Sequence, residues 1–294
     1  MLCLLSTGFS SRPTTYDLGT QMKTERILVT VKTYPTLSTK YGETVCTAGV
    51  RPDGSWVRIY PVPFRRLDDG EQYKKYDWLD LKLVRNTADR RPETYRPTDD
   101  ASFEPVDHIG TEDQWRERRR LILGKSKVYT NLAELIADAK ANIASLAVFK
   151  PTKILDLIVE EDERDWKPTR VAEMRNSTSQ FDLFSDNRWR ETFQVVRKMP
   201  WKWSYRFEDD RGTRSELQIL DWEIGALYWN CLKRAEGNER EAKDKVRVKY
   251  LEQFLKTDLH FFLGTTLQWH SVAPNPWVMI GVFPIPHERQ TGLF

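Results

Sequence analysis

Trp56, Arg58 and Tyr60 alternate along a short stretch that follows a turn, so in an extended strand their side chains share one face. An aromatic ring can stack on a nucleobase and a guanidinium can grip phosphate; the following loop adds Arg65, Arg66, Lys74 and Lys75. Single-stranded nucleic acid is bound by this combination, at about 1–3 kcal/mol per stacked base. The competing reading places Trp56 in a core and the cations on a solvated rim. A second basic cluster, Arg116-Glu-Arg-Arg-Arg120, sets Arg116 and Arg120 one helical turn apart, where they suit successive phosphates. Glu112, Asp113 and Glu117 precede them by three or four residues, and that spacing equally makes ordinary surface ion pairs. A third stretch interleaves Trp189, Trp201 and Trp203 with Arg188, Arg190, Lys198, Lys202 and Arg206. In it Trp201, Trp203, Tyr205 and Phe207 fall on one strand face, as expected for a core under the helices that follow, or else for a cage around a base or modified group.

Catalytic patterns are weaker. Asp156, Glu160 and Asp165-Trp166-Lys167 form a distorted version of a restriction-type nuclease pattern, in which carboxylates hold Mg²⁺ and the lysine polarises the attacking water. The acidic run 160–163 reads equally as the solvated end of a strand. His260 and His270 stand ten residues apart across an expected turn, too loose for a zinc signature. The three cysteines, Cys3, Cys46 and Cys231, are too few and scattered for a disulfide framework and fit a reducing, cytoplasmic setting. There is no Gly-rich phosphate loop, Gly-x-Ser-x-Gly or Cys-His nucleophile pattern, so no cofactor or metal is expected.

The elements that must position these residues are legible in part. Residues 27–31, 43–50, 55–60 and 77–84 read as strands, with Arg51-Pro-Asp-Gly54 as the turn between the second and third. Short strands at this spacing indicate a small antiparallel barrel. Thr111 suits a helix N-cap before Trp115, Leu121 and Ile122, and 131–143 reads as a second helix. Residues 152–159, 193–197 and 201–207 look extended, and Asp209-Asp-Arg-Gly212 is a hairpin signal leading into 215–220. Asp221 suits the cap of a helix to about residue 235; a further helix over 239–256 and strands at 259–263 and 277–283 complete the chain.

Within the first β segment, Cys46-Thr-Ala-Gly49, Gly54-Ser-Trp56-Val-Arg58, Asp80-Leu-Lys-Leu83 and Pro92-Glu93 resemble the bacterial and archaeal proteins with a dual OB-fold-containing domain. The resemblance covers roughly 25–160 and departs from that group by placing Ile59-Tyr60 between Arg58 and Pro61. It implies a tandem of OB-like barrels and carries no catalytic residues.

The whole composition bounds the rest. The chain has 294 residues, 46 Lys+Arg against 43 Asp+Glu, 39% hydrophobic and 30% charged residues, and eleven tryptophans, several times ordinary usage. That excludes a disordered chain, and no apolar run is long enough for a membrane helix. The near balance of charge is unlike a strongly basic nucleic-acid binder. The expected organisation is a loose tail over 1–24, with Met22 as the true start, then an OB-like β domain over 25–108. A helical linker with a second small β unit follows over 109–200, and a C-terminal α+β domain over 201–294. The fold class is therefore α+β: tandem OB-like barrels with a helical insertion and a ββααββ-like cap. The expected function is non-catalytic nucleic-acid binding, single strands favoured, through Trp56, Arg58, Tyr60, Arg65, Arg66, Arg116 and Arg120. Two other functions fit the sequence: a metal-dependent nuclease or nucleotide-processing enzyme using Asp156, Asp165 and Lys167, and a protein-interaction subunit of a larger complex.

Overall fold

A computed structural model describes residues 23–38, 42–62, 64, 67, 72–98, 101–181 and 195–287. The first half contributes β1 (Lys23–Lys32), β2 (Thr36–Ser38), β3 (Gly42–Val50), β4 (Trp56–Val62), β5 (Asp77–Arg85), β6 (Thr94–Pro97) and β7 (Pro105–His108). Hydrogen bonding runs β1-β3-β4-β6-β5, and β5 returns to pair with β1, closing a five-stranded barrel. This is consistent with an OB-like barrel. The expectation of a purely antiparallel barrel is corrected at one seam: β4 and β6 pair in parallel, because the chain crosses over through β5 between them. Closure leaves no free edge among the five strands.

The barrel is buried inside and partly outside. Ile27, Val29, Val57, Ile59, Leu79 and Leu81 fill its interior. A bulge between Val29 and Val31 turns Leu28 and Val31 outward together, into a second core shared with Phe262, Ile280 and Phe283. That two-sided burial explains why β1 is apolar with little alternation. At the Arg51–Gly54 turn, Gly54 takes φ 88°, a left-handed conformation that favours glycine.

The second half holds α1 (Glu112–Ile122), β8 (Val128–Tyr129), α2 (Leu132–Lys140), β9 (Leu146–Phe149), β10 (Lys153–Glu161) and α3 (Pro168–Phe181). It continues with β11 (Trp201–Glu208), β12 (Arg214–Gln218), α4 (Trp222–Arg234), α5 (Glu239–Arg247), β13 (Asp258–Thr265) and β14 (Trp277–Ile285). β10-β11-β12 form one sheet and β14-β13-β9-β8 another, bridged where Ile219 meets Met279. β10 and β11 thus pair across residue 200 within one core, which α4 and α5 cover. As expected, Trp203, Tyr205 and Phe207 lie in that core.

Two helix expectations need correction. Thr111 makes no side-chain cap; Asp113, Gln114 and Trp115 run through left-handed φ of 47°, 54° and 65°, and a right-handed helix starts only after them. The turn delivers Trp115 against Tyr76 and Phe283, with ring centroids 6.3 and 6.0 Å apart. The helix expected over 239–256 ends at Arg247 and continues as a π-helical turn, Val248–Gln253, and a 3₁₀ turn, Phe254–Lys256. The extended stretch expected at 193–197 carries no strand over 195–197, and its first two residues lie outside the described ones. Among the described residues no helix is long and apolar enough to cross a membrane.

Candidate functional site

β4 does place Trp56, Arg58 and Tyr60 outside the barrel, opposite Val57 and Ile59, but the second half of the chain sits on that face. Trp56 packs edge-on against Phe262 at 5.8 Å. Arg58 is 1% exposed. Its guanidinium donates to Thr94 Oγ1 (3.2 Å), Ser145 Oγ (2.6 Å), Ser145 O (2.8 Å) and Thr265 O (3.4 Å). Ser145 in turn donates its N–H to the Glu93 carboxylate at 3.0 Å. Burial, then the nearby Arg91 guanidinium, lowers Arg58 to about 10, so it remains charged at neutral pH. The expected open phosphate grip is therefore corrected: Arg58 is a buried rivet between the two halves.

Arg116 and Arg120 are exposed and paired within α1, Arg116 to Asp113 at 2.7 Å and Arg120 to Glu117 at 2.6 Å. The ion-pair alternative describes them better than free phosphate contacts. Arg65, Arg66, Arg188, Trp189 and Arg190 lie outside the described residues. The nuclease carboxylates are not assembled: Asp156 pairs with Arg247 at 3.1 Å, and Asp165 follows the far end of β10. Among the described residues no group of three or more His, Cys, Asp or Glu could hold a metal ion. His270 is committed to structure, with Nδ1 2.9 Å from Thr265 Oγ1 and Nε2 2.9 Å from Asn142 Oδ1.

What the sequence did not disclose is a cavity of about 500 Å³ between the barrel and the second half. This is the size of ordinary small-molecule sites. Cys46, Arg58 and Tyr60 of the barrel, with Thr33 and Tyr34 from the link after β1, line it together with Trp201 and Trp203 of β11. Trp166 adds a further ring. The end of β13 contributes Thr265, and the turn after it Thr266 and Leu267. The wall is mostly apolar, but four cations reach it (Arg58, Arg91, Lys198 and Lys202) against two carboxylates (Asp162 and Asp221). Arg91 is paired with Asp89, and Asp162 takes Lys198 at 3.0 Å and Lys202 at 3.7 Å.

The wall is held by bonds between elements. Tyr34 N–H donates to Leu220 O at 2.8 Å, and Trp229 Nε1 donates to Tyr34 Oη at 2.8 Å. Gly225 of α4 permits this approach, since a Cβ there would meet the Tyr34 ring at 2.4 Å. Asp221 caps α4 through Glu223 N and receives Lys75 Nζ on both oxygens at 2.8–2.9 Å. Burial pushes the Asp221 carboxyl up to about 6 against the pull of Lys75, which leaves the pair ionised at neutral pH.

Among the described residues three buried side-chain polar atoms lack a hydrogen-bond partner: Thr44 Oγ1, Trp203 Nε1 and Thr266 Oγ1. Two of these three, Trp203 and Thr266, belong to cavity residues. An unsatisfied buried donor costs about 1–3 kcal/mol, so such groups call for a reason.

Residues 23–124 match Domain of unknown function (DUF8758), and residues 128–294 match Domain of unknown function (DUF8757). The second match spans more than half of the chain, which therefore belongs to the DUF8757 family. No curated protein matches the chain. The seam between the matches falls between α1 and β8, and the cavity is built from both sides of it.

Proposed function

We propose that the chain is a non-catalytic nucleic-acid-binding protein that engages a single strand at the cavity between its two halves. The observation that carries this reading is the wall itself. Aromatic rings (Tyr60, Trp166, Trp201) and amino groups (Lys198, Lys202) share one concave surface, the pairing that single-strand binders use for bases and phosphates. The expected interface on β4 is thereby moved: Tyr60 keeps its place, and the aromatic-basic stretch at 198–203 replaces Trp56 and the Arg116–Arg120 turn.

The same proposal includes the kinship to dual OB-fold-containing proteins and a tandem architecture. The bridge between Ile219 and Met279 joins the two sheets of the second half around one core, which supports reading them as a second, distorted barrel under a helical cap. A reducing, cytoplasmic setting belongs to it too, supported by the free thiols of Cys46 and Cys231.

Fluorescence anisotropy with labelled single- and double-stranded DNA and RNA, at two salt concentrations, tests the reading. Since few cations at the cavity are available to phosphate, single-strand affinity should fall with salt at a logarithmic slope of about −1 to −2. Absence of binding to any of the four nucleic acids would overturn it.

A further inference from the structure

We infer that Trp269 is a stacking platform beside the cavity, carrying one base of a single strand whose neighbouring phosphate meets Arg90. The inference rests on the nucleic-acid reading above and adds a second point of contact to it.

Three observations converge. First, among the described tryptophans only Trp269 is exposed, at 51%, and no described ring or cation stacks on it. Leu267 and Val272 of the same turn are exposed too, so this turn holds three of the seven large apolar side chains exposed among the described residues. Such a concentration of apolar surface in water marks a place of contact.

Second, the turn that presents the indole is pinned from beneath. His270, the next residue, is fully buried. Asn142 donates its amide N–H to Arg90 O at 3.2 Å, and its Oδ1 lies 2.9 Å from His270 Nε2. Burial, then Arg91, Arg58 and Arg90, lowers the imidazole, so the ring is neutral at neutral pH. Nε2–H then donates to Asn142, and Nδ1 accepts the Thr265 hydroxyl at 2.9 Å. Backbone bonds from Trp269 N–H and His270 N–H to Thr266 O, at 3.1 and 2.9 Å, complete the support. A ring fixed in advance loses little freedom when a base stacks on it.

Third, the turn is continuous with the cavity and lies beside positive charge. Leu267 and Thr266 belong to the cavity wall, and Trp269 follows two residues after Leu267. Residues 266–276 carry no Asp, Glu, Lys or Arg of their own. The charge comes from Arg90, whose backbone is tied to the turn through Asn142; its side chain is exposed and forms no ion pair among the described residues. A single strand answers both features, with a flat base for the indole and a phosphate for the guanidinium. An apolar protein surface answers only the first.

The test titrates a labelled single strand of about 16 nucleotides against the full chain and against Trp269→Ala, Trp269→Phe and Arg90→Ala, by fluorescence anisotropy at two salt concentrations. Both side chains are at the surface, and thermal melts establish that the fold is kept. Trp269→Ala should weaken binding at least about fivefold, and Trp269→Phe should recover most of that loss, because a phenyl ring still stacks. Arg90→Ala should make the logarithmic salt slope shallower by about 0.7, the share of one single-strand phosphate. Wild-type affinity in Trp269→Ala would overturn the platform while leaving strand binding at the cavity standing, and would leave the turn to a protein partner. Equal losses in Trp269→Ala and Trp269→Phe would overturn stacking, and an unchanged slope in Arg90→Ala would overturn the phosphate contact. No binding of the strand by the wild-type chain would remove the nucleic-acid reading and this inference together.

Discussion

The Arg58 guanidinium makes four hydrogen bonds where the two halves of the chain meet, and two of them end on the carbonyls of Ser145 and Thr265. Truncating it strands those acceptors and leaves Glu93 without its nearby positive charge. Arg58→Met is therefore expected to lower the unfolding free energy in urea by about 3–5 kcal/mol. Arg58→Lys should cost less but still measurably, because an ammonium cannot fork to several acceptors. Wild-type stability in both variants would contradict the rivet. Lys32 gives a pH test. Its ammonium lies 3.8 Å from the Phe64 ring centroid and 4.7 Å from that of Trp222, and burial, then Lys75, lowers it to about 8. The unfolded chain then binds more protons between pH 8 and 10.5, so stability should rise with pH across that window. Against Lys32→Met the gain should be about 1–2 kcal/mol after allowance for solvent screening. A wild-type-minus-variant difference flat over pH 8–10.5 would refute it.

At the scale of elements, the segment from Ile219 to Asp221 is the crossbar of the fold. Ile219 N–H donates to Trp203 O, Leu220 N–H donates to Met279 O, and Asp221 bridges to Thr33 at the end of β1. Asp221→Ala removes a cap and leaves Lys75 buried without its main partner, an expected loss of about 3–5 kcal/mol by urea titration. Asp221→Asn retains capping and should lose less; equal losses would show that the cap and pair are not what Asp221 supplies. The Asp221 cap was legible because an Asp preceded an apolar helical period. So were the β1, β3, β4 and β5 strands, whose alternation and Pro-Asp-Gly turn are local signals. The left-handed turn at Asp113–Trp115 was not: it contains no glycine, and what sustains it is Trp115 docking on Tyr76 and Phe283, a contact across 168 residues of chain in the second case. The π-helical turn after Arg247 likewise has no local marker; its one buried residue, Tyr250, donates no cap but accepts Tyr205 Oη on its carbonyl.

Over the whole molecule, the cavity could not be read from sequence because its walls come from segments as distant as Thr33 and Ile280. Strand periodicity set Arg58 on one face with Trp56 and Tyr60 but carried no information about what covers that face. The cover is extensive: Leu28, Val31, Ala48 and Val50 of the barrel share a core with Phe262, Ile280 and Phe283. A fragment ending near residue 124 would expose this surface, so it should bind a hydrophobic dye or aggregate and recover order when residues 128–294 are supplied in trans. An independently folded, dye-negative barrel would contradict the shared core. The proposed place of nucleic-acid binding is the cavity between the halves. Thr36 and Leu267 are exposed residues of its wall, and Thr36→Trp or Leu267→Trp would fill it without touching Arg58, Asp221 or the barrel interior. The most direct measurement is single-strand affinity of these two variants by fluorescence anisotropy, with their melting temperatures checked against wild type. Affinity is expected to fall at least about tenfold in both with the fold intact, the loss of one stacked base or more. Wild-type affinity in both filled variants would contradict it.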